Sequence, residues 1–158
     1  MKHAPVPAVQ VSTASPEATE AFGRLLGARL CAGDVVALVG PLGSGKTVLA
    51  RGLALGAGAR GYIASPSFVV VREYAAPSRI YHLDLYRLER PGEIRDLGLD
   101  DLMGGSGIVI VEWADRAPEL LADAFRIDCA LGPGETDRVF TLQGPAAMRE
   151  RIHPAVEA

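Results

Sequence analysis

Lysine is almost missing from this chain: Lys2 and Lys46 stand against 14 arginines in 158 residues. Generic positive charge is therefore carried by arginine. A lysine kept at an internal position points to a task suited to a compact ammonium on a slender stem, where a planar guanidinium would not fit. Cysteine is scarce as well, and Cys31 and Cys129 are too far apart in sequence to form a close metal-type pair. Long apolar runs are absent. The longest, Val35 to Val39 and Ile108 to Val111, fall far short of the roughly 20 residues of a membrane helix. Met1-Lys2-His3-Ala4-Pro5 lacks the apolar core of a secretory signal, so a cytoplasmic, reduced protein with no membrane association is expected. Nor is there a dense basic segment: the arginines are spread out and the formal net charge is −3. Tight direct binding to nucleic acid, which needs clustered positive charge, is not indicated.

What the chain does have is the hydrophobic content of one ordinary domain, 49%, with 22% charged residues. Ser15-Pro16-Glu17-Ala18-Thr19 reads as a helix start, with Ser15 at the N-cap and proline at the first helical position. Phe22, Leu25, Leu26 and Leu30 follow at helical spacing. Val35 to Val39 has the pattern of a fully buried strand, and a helix is predicted from about Lys46 to Ala57. Phe68 to Tyr74 and Arg79 to Leu85 read as a hairpin broken at Ala75-Ala76-Pro77-Ser78. A short helical or irregular segment is predicted from Pro91 to Met103, a strand over Ile108 to Val111, and a helical turn over Pro118 to Leu121. Two further strands, Phe125 to Leu131 and Arg138 to Leu142, flank the turn Gly132-Pro133-Gly134. Buried strands alternating with helices, plus hairpins, give an α/β three-layer fold with a mixed sheet. Residues 1–144 form the expected single domain and 145–158 a loosely held tail.

Between the first buried strand and its helix lies Gly40-Pro41-Leu42-Gly43-Ser44-Gly45-Lys46-Thr47, which matches G-x-x-x-x-G-K-[ST] in the context the motif requires. The glycines let successive N–H groups turn inward on phosphates, with the positive end of the helix beneath. Lys46 would reach the β and γ phosphates of a nucleoside triphosphate, and the Thr47 hydroxyl would coordinate Mg²⁺. Glu112, at the end of Ile108-Val109-Ile110-Val111, is the leading second acid near the metal, with Trp113, the only tryptophan, beside it. His82 and Asp84 share one strand face. Asp84 would orient or deprotonate the attacking water, or hold a metal-bound water; His82 is either chemical or structural. Ser67 is either a sensor of the γ-phosphate or an ordinary turn hydroxyl. Asp101-Leu102-Met103-Gly104 imitates a GTPase DxxG, but no apolar strand precedes it and no N-K-x-D occurs, so the guanine-specific reading falls.

In order, GPLGSGKT, SPSF, YHLDLYRL, Glu93 followed by DLGLDD, and IVIVEW resemble the bacterial TsaE family over about residues 9 to 142. The resemblance implies a P-loop ATPase fold with a mostly parallel central sheet, binding ATP and Mg²⁺. It implies work with two partner proteins, TsaD and TsaB, in transferring threonylcarbamoyl to adenosine 37 of tRNAs that read ANN codons. The tRNA would be met only through that complex, and activity alone would be weak. By matching positions, Thr47 and Glu112 become the magnesium ligands and Asp84 and Lys46 the catalytic pair. Ser15, Pro16 and Thr19 would lie near adenine, Pro41 to Thr47 would cradle phosphate, and Trp113 would neighbour the nucleotide. Ser67 stands where SPTF has threonine, and Ala114 where proline commonly follows the tryptophan. Two other readings share the cradle. A small-molecule kinase would need an arginine-rich lid, for which the 31 residues from Leu53 to Leu83 leave no insertion. A non-hydrolysing switch would use the same binding residues.

Overall fold

The computed structural model describes residues 8–61, 63, 71–96, 98, 101–102, 105–118 and 123–157. Its elements are β1 (Val9–Thr13), α1 (Pro16–Gly27), β2 (Val35–Val39), α2 (Lys46–Gly56), β3 (Val71–Tyr74), β4 (Ile80–Asp84), α3 (Pro91–Asp96), β5 (Ile108–Glu112), a 3₁₀ turn (Ala114–Arg116), β6 (Phe125–Leu131), β7 (Arg138–Gln143) and α4 (Ala146–Glu157). Seven strands form one mixed sheet in the order β1-β7-β6-β2-β5-β4-β3. The four central strands, β6, β2, β5 and β4, run parallel; the pairings β1–β7, β6–β7 and β3–β4 at the margins are antiparallel.

Alternation along the strands sorts the core into two faces. Val36, Leu38, Ile108, Ile110, Phe125 and Ile127 pack with Phe22 and Leu26 of α1, Leu49 and Leu53 of α2, and Met148 and Ile152 of α4. Val35, Ala37, Leu83, Val109 and Val111 face the other way, onto Leu85, Ala114, Ala117 and Ala124. Among the described residues this second face is covered by connecting segments and the 3₁₀ turn, while α1, α2 and α4 share the first.

The position of α1 against α2 follows from four glycines. A Cβ on Gly52 would lie 2.4 Å from the Glu20 carbonyl oxygen, and one on Gly27 would lie 2.2 Å from that of Leu53. A Cβ on Gly23 or Gly56 would likewise meet facing carbonyl oxygens, at 2.7 Å from Leu49 and 2.2 Å from Arg24. Any side chain here would force the helices apart, and in a close-packed core such overpacking costs about 1–3 kcal/mol. The seam holds the start of α1 beside the start of α2, where the cradle lies.

One expectation changes, and one strand was not foreseen. The tail is not loose: residues 146–157 form α4, because Met148 and Ile152 bury completely enough to join the core, each contributing about 1.5–3 kcal/mol. Arg151 fixes it further, with a two-pronged bond to Asp34 at 2.8 Å on each prong and a third bond to the Arg29 carbonyl. The proline-rich lead passes into a strand, β1, that pairs with β7 from Val9↔Leu142 to Thr13↔Arg138. In α1, Leu25 is exposed while Phe22 and Leu26 carry the buried face. Phe68 to Val70 of the hairpin and most of Pro118 to Leu121 lie outside the described residues.

Candidate functional site

Ligands of open α/β sheets bind beyond the carboxyl ends of the parallel strands, where connections leave in opposite directions. Here the carboxyl ends of three adjacent strands carry the cradle (after β2), Glu112 (end of β5) and Asp84 (end of β4). Asp84 and Glu112 are register partners, so their side chains leave the sheet together, on the face that α2 covers.

The cradle turns tightly on its glycines. Gly45 has φ +93°, a left-handed conformation that favours glycine, and sits at the N-cap of α2. Gly40 passes so close to β6 that a Cβ would fall 2.2 Å from the Cys129 carbonyl oxygen. Within the loop the Lys46 Nζ donates to the carbonyls of Gly40 and Pro41 at 2.6 and 2.7 Å and approaches the Ser44 hydroxyl at 3.3 Å. It also lies 4.0 Å above the Trp113 ring, a cation–π geometry. Burial lowers the Lys46 pKa below the ordinary lysine value, and the nearby charges, Glu112 and Asp84 among them, oppose that shift.

The Thr47 hydroxyl donates to Glu112 Oε1 at 2.7 Å, and the other carboxylate oxygen, Oε2, is 2.6 Å from His82 Nε2. Both Glu112 and His82 are buried. A hydroxyl and a carboxylate side by side at the foot of a phosphate cradle form the oxygen donor set that suits Mg²⁺, which takes one or two protein oxygens and completes its shell with water and phosphate. Asp84 is half-buried and accepts the Tyr86 N–H at 2.9 Å. Burial raises its pKa, a shift that the Tyr86 N–H opposes and the charge of Glu112 reinforces. Trp113 has φ +57°, the one non-glycine residue with positive φ among the described residues. That conformation is strained for a bulky side chain. It is held by the Tyr86 ring, 4.8 Å away between centroids, and by Lys46 on the indole face.

A cleft of about 250 Å³ opens over the loop, lined by Gly43, Gly45, Lys46 and Thr47 together with Pro16, Thr19, Thr136 and Arg138, and by Leu42, Val48 and Trp113. Of the residues expected near adenine, Pro16 and Thr19 line it. Ser15 does not: its hydroxyl caps α1 by accepting the Ala18 N–H at 3.1 Å. Pro41 and Ser44 act within the loop as acceptors for Lys46. Ser67 lies outside the described residues. Thr136 and Arg138 were not legible as site residues. The Arg138 Nε donates to the Gly43 carbonyl at 3.0 Å, and the Thr136 hydroxyl to the Ala14 carbonyl at 2.6 Å, so the start of β7 ties the cradle to the start of α1. The pairings of β7 with β6 and with β1 bring them there.

Comparison with known proteins identifies the family and the fold. Residues 13–139 match the family model described as threonylcarbamoyl adenosine biosynthesis protein TsaE. The chain is 38% identical over 136 residues to the tRNA threonylcarbamoyladenosine biosynthesis protein TsaE of Bacillus subtilis (strain 168), covering 84% of each. It is 43% identical over 114 residues to the protein of the same name from a Nostoc species, covering 69% of this chain and 70% of that one. Its fold superposes on the crystal structure of Bacillus subtilis YdiB with a TM-score of 0.80 at 29% identity, over 98% of this chain and 97% of the other.

Proposed function

Since the chain belongs to the TsaE family of threonylcarbamoyladenosine biosynthesis proteins, we propose that it is the ATP-binding and hydrolysing subunit of t6A modification at position 37 of tRNAs reading ANN codons. It acts in the cytoplasm with TsaD and TsaB and meets tRNA only through them. The observation that carries the ATPase reading is the 2.7 Å bond between Thr47 and Glu112, which joins the last hydroxyl of the phosphate cradle to the acid at the end of the adjacent strand. Thr47 and Glu112 would hold Mg²⁺, which when bound neutralises charge on the β and γ phosphates.

The chain's own residues account for the remaining work. The wall of Pro16 and Thr19 receives the base, and the loop backbone from Pro41 to Thr47 receives the phosphates. The Lys46 ammonium, already at the foot of the loop, exchanges its carbonyl partners for phosphate oxygens and stabilises the charge that gathers there as the terminal phosphoryl departs. Asp84, with one oxygen on the Tyr86 N–H, uses the other to orient a water and take its proton. Its raised pKa makes it a stronger base than an ordinary aspartate.

The experiment combines the chain, TsaD, TsaB, tRNA and ATP and follows inorganic phosphate together with modified adenosine. Phosphate released to water, rising when the partners are added and accompanied by t6A, is the expected result. ATP consumed only when a metabolite is phosphorylated would replace this reading with a kinase. Binding without turnover in the complete mixture would leave a nucleotide switch.

A further inference from the structure

Where many P-loop proteins place aspartate at the end of the second strand, this chain has Glu112. The extra methylene adds a rotatable bond, and a longer carboxylate needs an outside grip to stay in one place. The structure supplies one at each oxygen: the Thr47 hydroxyl on Oε1 at 2.7 Å and His82 Nε2 on Oε2 at 2.6 Å. Behind the imidazole, the Tyr74 hydroxyl lies 3.3 Å from Nδ1, with the two rings tilted 46° and their centroids 6.0 Å apart. A carboxylate can only accept, so Nε2 carries the hydrogen, and in the neutral ring Nδ1 is the acceptor for Tyr74. His82 and Glu112 are each 1% exposed, which leaves the pair little room to rearrange.

We propose that His82, braced by Tyr74, is the positioning residue that holds Glu112 in the rotamer able to serve a divalent cation at Thr47. This rests on the magnesium-dependent reading of the cradle and answers the question left open for His82. The register supports it. His82 pairs with Ile110 while Asp84 pairs with Glu112, so His82 sits one diagonal step from Glu112 on the same face, and Tyr74 reaches it from β3, whose register pairs Arg72 with His82. A histidine that merely filled the core would not need a donor aimed at the carboxylate, nor a second hydroxyl aimed at its far nitrogen. Partners one shell behind a metal ligand fix its orientation, and losing them weakens metal binding by about 10–100-fold.

Three variants of the full chain test this: His82→Leu, His82→Gln and Tyr74→Phe, each checked for folding by circular dichroism. Mn²⁺ affinity is read by electron paramagnetic resonance in the presence of ADP, and ADP affinity without metal by calorimetry. The expected pattern is a loss of Mn²⁺ affinity of about 10–100-fold in His82→Leu, near-complete recovery in His82→Gln, whose amide nitrogen can donate from the place of Nε2, and a smaller loss in Tyr74→Phe. Metal-free ADP affinity stays at the wild-type value throughout. Wild-type Mn²⁺ affinity in folded His82→Leu would overturn the proposal. So would a His82→Gln variant as weak as His82→Leu. Should His82→Leu fail to fold, wild-type Mn²⁺ affinity in Tyr74→Phe has the same consequence. A wild-type chain that binds ADP equally well with and without Mn²⁺ would instead remove the metal site itself, and that result is distinguishable because it needs no variant.

Discussion

Lys46→Ala lowers ATP turnover by about 10²–10³-fold, the loss that follows when a preorganised charge is withdrawn from a developing one. Arginine carries nearly all other positive charge in this chain. The Lys46 Nζ is buried at the foot of the loop and held by two carbonyls, with the Trp113 face 4.0 Å away. Removing it also leaves the Gly40 and Pro41 carbonyls without that donor, so the loop loses definition along with its charge. Lys46→Arg fares little better, because a planar guanidinium has no room where the lysine side chain is 5% exposed. Phosphate release by the chain with its partners checks both variants. Turnover within about twofold of wild type in Lys46→Ala would remove the electrostatic role assigned to it.

Asp84→Asn lowers turnover by about 10²–10⁴-fold, the range of a lost general base, while ATP affinity holds. It also raises thermal stability at neutral pH. Burial lifts the Asp84 pKa above the ordinary aspartate value, so the group's contribution to stability is complete below the unfolded-state pKa and is lost as pH rises through the higher folded-state value. At pH 7 the ionised carboxylate works against folding. Asparagine keeps an oxygen for the Tyr86 N–H and carries no charge, so its melting temperature lies above wild type at pH 7, and the gap closes as pH falls below about 4. The same shift moves the acid limb of the wild-type turnover profile toward higher pH than an ordinary aspartate would give. Melts at both pH values and steady-state hydrolysis measure all three effects. An Asp84→Asn variant that hydrolyses ATP at the wild-type rate would leave Asp84 without a place in the chemistry.

The parts of the site that were legible in sequence are those whose partners are local or periodic. Gly40 to Thr47 announces itself because strand, loop and helix are contiguous, Glu112 stands out because it follows an apolar run at a strand end, and Asp84 because the strand period puts it on one face with His82. Thr136 and Arg138 were hidden, since they reach the cleft only through the long-range pairings of β7 with β6 and with β1, and β1 is five residues with modest alternation after a proline-rich lead. Residues 146–157 looked like a tail because a helix that buries little more than Met148, Ile152 and Val156 against the core, with Pro154 inside it, leaves a weak apolar period. Gly23, Gly27, Gly52 and Gly56 carry a spacing of four in each helix, but a glycine shows no preference for a partner until two backbones meet. His82 was visible as a residue, and its bond to Glu112 was not: the strand period gives its face, whereas the register between β4 and β5 gives its neighbour.

On the proposed function, the cleft beside Trp113 takes ATP together with a divalent cation. Trp113 is the chain's single tryptophan, held in a strained conformation with Lys46 on its face, and any phosphate that draws Lys46 away changes the indole's surroundings. Titrating ATP into the wild-type chain with and without Mg²⁺ while following its emission is the most direct test. A saturable change in emission, reached at lower ATP when Mg²⁺ is present, is the predicted result. Unchanged emission together with no heat of binding in calorimetry would contradict it.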